Sequence, residues 1–132
     1  MKIENDDIRG LFRTPGLCQL CGKPCPQGTD PHHVLSRGAG GSDIRIGLLS
    51  VCRECHSTKV DSKKGTERCW KAIALRENAT VDEIKSANYF IANQLHRLDS
   101  EYMILDKIEA WPATEKAKEI VIRDLREAKV IV

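Results

Sequence analysis

The sequence predicts a small α+β protein in which a cysteine-rich unit with short strands precedes a set of helices. Three observations predict this class. Turn-forming residues crowd the first 50 positions, two C-x-x-C pairs frame residues 18–55, and helical periodicity begins near residue 66. We expect the first unit to span residues 1–78 and a helical extension to span 79–132. A chain of 132 residues is long enough to bury a sizeable core.

The composition is that of an ordinary soluble protein, with 41% apolar and 30% charged residues. Apolar runs are far shorter than a membrane span, and the start "MKIENDDIRG" lacks the apolar core of a signal peptide, so we expect a cytoplasmic protein. Residues 1–65 carry ten Lys/Arg against seven Asp/Glu, and residues 66–132 carry eleven against twelve. This weakly basic front half is compatible with a phosphate ligand, but solvated surface charge gives the same count.

Two short strands are expected in the turn-rich region. They are "HHVLS" (32–36) and "GLLSV" (47–51), and "RECHSTKV" after them has the character of a helix start. "TERCWKAIALREN" is helical, and Thr80 with Glu83 forms a capping box for the next helix. Its apolar stripe continues to Ile108 with a break expected near Asp99–Ser100, and a further helix follows Pro112.

The cysteine spacing predicts a metal site. "CQLC" and "CREC" are separated by thirty residues, and a two-residue gap lets both thiolates of a pair reach one ion. Four thiolates in a closed tetrahedral set favour a structural zinc ion. The alternatives are unrelated buried thiols or one redox-active pair, although the redox chemistry needs a βαβ scaffold that the sequence lacks. The predicted ligands are Cys18, Cys21, Cys52 and Cys55.

Two further cysteines lie outside this pattern. Cys25 in "CGKPC" is near the first pair and could replace a ligand, but the four-residue step from Cys21 and the neighbouring proline make it less apt. Cys69 lies in a helical run beside Trp70, and we expect it to be a packed thiol.

Two of the four histidines, His32 and His33, are adjacent and lie between the cysteine pairs, while His56 directly follows the last cysteine. Neighbours on a regular strand point to opposite faces, so the two rings rarely share one structural role. One of the pair could be a buried core histidine and the other a surface residue, and His56 could pack beside the zinc site. A hairpin and helix pinned by one zinc ion would instead make a platform for a metal ion and a free base. We expect His96, on the long helix, to be a surface or packing residue.

The ordered elements "C-x-x-C", "D-P-H-H-V", "G-A-G-G-S-D" and "L-L-S-V-C-R-E-C-H" resemble the HNH endonuclease family, whose core is the ββα-metal fold. The resemblance spans residues 18–59, and "GTERCWKAIALREN" is similar to the helix that follows the core in phage-type members. It implies a zinc-braced nuclease that hydrolyses DNA.

The resemblance also implies residue roles. His33 would be the general base that takes a proton from water, and His32 and His56 would bind a catalytic Mg²⁺ or Mn²⁺ ion. The products would carry a 5′-phosphate and a 3′-hydroxyl. Two positions depart from the family pattern: Gly47 stands where an asparagine is usual, and Val60, next to Asp61, stands where many members have a third histidine.

Three basic residues are candidate phosphate contacts: Arg37 beside the glycine-rich loop, and Arg53 and Lys59 on either side of His56. Exposed surface charge is the alternative for each, and a flexible hairpin tip is the alternative for the loop. The predicted partner is DNA, and the C-terminal helices could mediate self-association. A zinc module that binds DNA or protein without cleaving it is the alternative function.

Overall fold

The computed structural model describes residues 1–58 and 63–132, so the predictions for Lys59, Val60 and Asp61 lie outside the described residues. Within them, six α-helices and two small antiparallel sheets confirm the α+β class. The elements in chain order are α1 (Asp6–Leu11), β1 (Gly16–Leu17), β2 (Pro24–Cys25), β3 (Asp30–His33), β4 (Leu48–Val51), α2 (Arg53–Thr58), α3 (Lys63–Glu77), α4 (Val81–Gln94), α5 (Glu101–Ala110) and α6 (Glu115–Glu127).

The hairpin of β3 and β4 carries the paired histidines. It is antiparallel, with His32 opposite Leu49 and His33 opposite Leu48. The predicted strand 47–51 is confirmed to within one residue as β4. The predicted strand 32–36 corresponds to β3, which begins two residues earlier and ends at His33. The chain leaves the sheet there because the Ser36 side chain caps a single turn of 3-10 helix at Arg37–Ala39.

One core joins the hairpin to the helices. Ile46 and Leu49 on the hairpin side are fully buried together with Ile84, Val121 and Leu125 of the helical side. Apolar burial on both sides of residue 78 therefore belongs to a single cluster. The division of the chain at that residue stays a prediction. None of the helices in the described residues is long and apolar enough to span a membrane.

The long stripe predicted after Thr80 is divided between two helices. The capping box of Thr80 and Glu83 is confirmed at the start of α4, and Ser100 caps α5 after the expected break. Leu98 lies in the break and Tyr102 on the outer side of α5, and both are largely exposed. Both belong to the stripe that the sequence predicts, which is wrong at these positions because the irregular residues 95–100 reset the helical phase. Ile108 is buried as the stripe predicts, and α5 also buries Ile104.

Candidate active site and metal centre

The four predicted cysteine ligands converge. Their sulfur atoms all lie within 4.8 Å of one another, and Cys21 Sγ is 3.8 Å from Cys52 Sγ. Zinc–thiolate bonds of about 2.3 Å in a tetrahedron place sulfur atoms roughly 3.8 Å apart, so this donor set fits a zinc ion. The cluster joins the turn after β1 to the start of α2 and is a structural site for zinc or a similar metal. The group that satisfies this geometry is Cys18, Cys21, Cys52 and Cys55.

Backbone amides donate to a cysteine sulfur in both cysteine turns. Leu20 and Cys21 each donate an N–H to Cys18 Sγ at 3.4 Å, and Cys55 donates to Cys52 Sγ at 3.4 Å. Burial acts to raise the pKa of Cys18, but the amide donors outweigh it and lower that pKa to about 6. The first turn therefore favours the deprotonated sulfur of Cys18, which is the form that binds metal, whereas burial and the neighbouring cysteines raise the pKa of Cys55.

The two other cysteines are outside this four-sulfur group. Cys25 is half-buried at the end of β2. Cys69 is fully buried on α3, and burial raises the pKa of its thiol to about 11. Cys69 is therefore a packed, unreactive thiol, as predicted.

His32 and His56 lie side by side. Their ring centroids are 5.4 Å apart, and the ring planes make an angle of 65°. His56 reaches this position because it follows Cys55 on α2, and α2 begins at the cysteine cluster. Asp30 on β3 is close, with its Oδ2 4.0 Å from His56 Nδ1 and 3.9 Å from Arg53 Nε. The residues Asp30 and His32 are two apart on β3, so they share one face of the hairpin.

His33 makes a different contact. Its Nε2 is 2.6 Å from Asp43 Oδ1, and Asp43 is almost fully buried, with 1% of its side chain exposed. The other carboxylate oxygen accepts hydrogen bonds from the Asn5 N–H at 2.9 Å and from Arg9 Nη1 at 3.1 Å. Burial acts to raise the pKa of Asp43, but the bonds from Asn5 and His33 and the charge of Arg9 outweigh it and hold that pKa below its usual value.

The contact between His33 and Asp43 was not anticipated from the sequence. Asp43 closes the "GAGGSD" stretch, where its position after a glycine-rich loop indicates only a turn. Asn5 and Arg9 are more than 20 residues upstream of the histidine pair, so no local spacing links them to it. Only the fold brings these residues together.

The second part of the glycine-rich loop is packed, whereas residues 36–39 are exposed. A Cβ atom at Gly41 would lie 1.8 Å from the Leu35 carbonyl oxygen, and Gly40 has a positive φ of 94°. Both positions therefore require glycine for backbone approach and conformation. The alternative of a flexible hairpin tip does not describe Gly41, which is buried.

The backbone N–H and carbonyl of Ile46, just before Gly47, form hydrogen bonds with side chains of α4 and α6. Its N–H donates to Asp124 Oδ2 at 3.0 Å, and its carbonyl accepts from Asn88 Nδ2 at 2.9 Å. Both side chains are buried. Side chains of α4 and α6 thus brace the loop at the position where glycine can supply no side-chain bond.

Two of the three predicted phosphate contacts, Arg37 and Arg53, lie within the described residues. Arg37 lies 3.5 Å from Glu4, and Arg53 is 92% exposed beside Asp30. Each guanidinium therefore has a carboxylate neighbour, and both remain accessible to solvent. Their contact with phosphate stays a prediction.

The comparisons with known proteins identify one family. Residues 18–62 match the model of the HNH endonuclease family, a region that begins at the first zinc ligand and includes the paired histidines and His56. No curated protein and no solved structure matches the chain. HNH domains are nuclease or DNA-binding modules. The sequence match and the four-cysteine cluster together show that residues 18–62 of this chain are an HNH endonuclease domain.

Proposed function

We propose that the protein is a metal-dependent endonuclease that hydrolyses phosphodiester bonds of DNA. The observation that carries this proposal is the approach of the His32 and His56 rings to 5.4 Å, one residue from His33 on the same strand. The HNH family match over these residues supports the same activity. A hairpin and helix built only to pack would not need the His32 and His56 rings side by side.

The spacing of His32 and His56 suits a shared divalent ion. An imidazole centroid lies roughly 3.2 Å from an ion bound through one ring nitrogen, so two rings on one ion are at most about 6.5 Å apart. The observed 5.4 Å falls within that limit. Asp30, on the same face, adds negative charge that favours a cation there. We assign His32 and His56 as the protein ligands of Mg²⁺ or Mn²⁺.

In the proposed reaction His33 takes the proton from the attacking water. The divalent ion, when bound, stabilises the negative charge that develops on the scissile phosphate and on the leaving 3′ oxygen. His32 and His56 fix its position relative to the hairpin. The bond between phosphorus and the 3′ oxygen breaks, so the products carry a 5′-phosphate and a 3′-hydroxyl. Arg37 and Arg53 have the exposure needed to bind backbone phosphates of the DNA partner.

The test is the nicking of supercoiled plasmid by the purified protein with Mg²⁺ or Mn²⁺. We expect His33→Ala to lower the nicking rate by roughly 10²- to 10⁴-fold, the usual contribution of a general base, while the zinc content stays at one ion per chain. The control is His96→Ala, because His96 is exposed and its hydrogen bonds with Asp99 are made by its backbone N–H and carbonyl groups rather than by its ring. The control should nick at the wild-type rate.

The product ends provide a second readout. DNA ligase seals only nicks with a 5′-phosphate and a 3′-hydroxyl, so ligase should restore closed plasmid from the nicked product. Nicking that persists in His33→Ala, or nicks that ligase cannot seal, would contradict the proposed chemistry. A wild-type protein that binds DNA but does not nick it would favour the alternative of a non-catalytic zinc module.

A further inference from the structure

We propose that Asp43 is a positioning residue that fixes the tautomer and orientation of His33, and that the N-terminal segment of residues 3–9 completes this part of the site. The inference rests on the proposed function for its catalytic meaning. Its structural content does not depend on cleavage. The segment lies outside the HNH match, which begins at residue 18.

The contact has the geometry of a strong hydrogen bond. The 2.6 Å separation of His33 Nε2 and Asp43 Oδ1 is short for a nitrogen–oxygen pair, as expected when the acceptor is charged. Asp43 is buried, so its carboxylate cannot be satisfied by bulk water and depends on protein donors. It has three such donors: His33, Asn5 and Arg9.

This arrangement selects one form of the imidazole. An ionised carboxylate only accepts hydrogen bonds, so His33 Nε2 must carry the proton that is shared with Asp43. Nδ1 is then the nitrogen with the lone pair, and it makes no hydrogen bond to the residues that the structure describes. The His33 side chain is 13% exposed, so the ring has access to solvent. Asp43 thus leaves His33 Nδ1 ready to accept a proton from water.

The N-terminal segment holds Asp43 in place through backbone and side-chain bonds. Ile3 and Asp43 are joined by the bond from Asp43 N–H to the Ile3 carbonyl at 2.8 Å, and Ile3 N–H donates to Ser42 Oγ at 2.8 Å. Asn5 donates its N–H to Asp43 and uses its side chain to cap α1, from which Arg9 reaches the same carboxylate. The helix α1 therefore presents Arg9 to Asp43 at a fixed position.

Replacing Asp43 by asparagine tests the role sharply. The Oδ2 position receives two donors, from Asn5 and Arg9, so the single amide oxygen of Asp43→Asn is drawn to that side. The amide NH₂ group then faces His33 Nε2 and can only donate, which moves the ring proton to Nδ1. We expect a change from the Nε2–H to the Nδ1–H tautomer and a loss of nicking of at least roughly 100-fold.

The measurement is the ¹⁵N spectrum of the imidazole rings, with the His33 signals assigned by their absence in His33→Ala. This readout needs no activity. A protein that never nicks DNA refutes the proposed function, while an Nε2–H tautomer that changes in Asp43→Asn still supports the role of Asp43. A tautomer that is the same in wild type and Asp43→Asn, with nicking unchanged, would overturn the role of Asp43.

Two further variants keep the inference falsifiable if Asp43→Asn does not fold. Arg9→Gln removes one donor from Asp43, and we expect it to lower the nicking rate several-fold. The same substitution should have no further effect on nicking in His33→Ala, because Arg9 acts on the site through Asp43 and His33. The matched control is Arg13→Gln, which makes the same charge change at an exposed arginine outside residues 3–9. It should nick like the wild type. Equal losses for Arg9→Gln in both backgrounds would point to a general structural effect and contradict the proposal.

Discussion

The segment that carries the histidines and the helices that follow it are ordered by different forces. Residues 16–58 contain strands of two or four residues and a six-residue helix, tied together at one end by four cysteines. Residues 63–127 form four helices of 10 to 15 residues, three of which have side-chain N-caps. The first segment has a four-cysteine metal site and contacts from outside, whereas the second has local signals and an apolar face in each helix.

This difference indicates how the site is built. Short strands bury little surface by themselves, so a hairpin of this size is marginal without support. The cysteine cluster fixes one end of the hairpin and α2, and Asn88 and Asp124 fix the loop at the other end. The paired histidines thus lie on an element that is supported by its surroundings.

The largest effect should come from removing the zinc. Structural zinc contributes on the order of 10 kcal/mol to folding in small sites, so Cys52→Ala should lose the metal and unfold the front half of the chain. Zinc content and near-UV circular dichroism check this outcome. Cys25→Ala is the matched control and should retain one zinc ion, because Cys25 is outside the four-sulfur group. A Cys52→Ala variant that is soluble and melts like the wild type would remove the distinction between the two segments.

A smaller effect should follow from breaking the brace at Ile46. Asp124→Ala leaves the Ile46 N–H and the Arg123 guanidinium without their buried acceptor, and we expect it to lower the free energy of unfolding by about 3 kcal/mol. Asp124→Asn keeps an acceptor for Ile46 and should cost markedly less. Hydrogen exchange at the Ile46 amide should accelerate in Asp124→Ala. Unchanged exchange there would mean that the loop does not depend on α6.

The smallest effect concerns the ion pair between α3 and α6. Glu77 binds Arg123 Nη2 at 2.5 Å and Arg76 Nε at 3.2 Å. Burial acts to raise the pKa of Glu77, but these two arginines outweigh it and hold that pKa below its usual value. The ionised Glu77 side chain therefore contributes its full stabilisation above the usual glutamate pKa of about 4.3, and this contribution is lost as the pH falls below that value.

We expect Glu77→Gln to be less stable than the wild type by about 1–2 kcal/mol at pH 7, with the difference shrinking toward pH 3. Urea unfolding at several pH values measures it. A difference that stays constant from pH 7 to pH 3 would show that the charge of Glu77 is not what joins these helices.

Local patterns in the sequence were sufficient for the metal cluster and for the helix starts. A C-x-x-C turn brings two sulfurs together within four residues, and a capping box such as Thr80 with Glu83 is complete within one helical turn. These features need no knowledge of distant residues. The same holds for the strand that ends at Val51, whose apolar run was recognisable in isolation.

The tertiary structure alone decided which side chains surround the histidines. Asp43 meets His33 because the hairpin and α1 pack together, and Asn88 and Asp124 reach Ile46 from helices more than 40 residues away in the chain. Such pairings depend on how buried apolar surfaces dock, and a residue pattern with a period of two or 3.6 carries no information about that docking. The sequence by itself determined the four-cysteine cluster and the order of the elements from β3 onward, but it did not indicate α1, β1 or β2. The support of the histidines came from packing between elements that are distant in the chain.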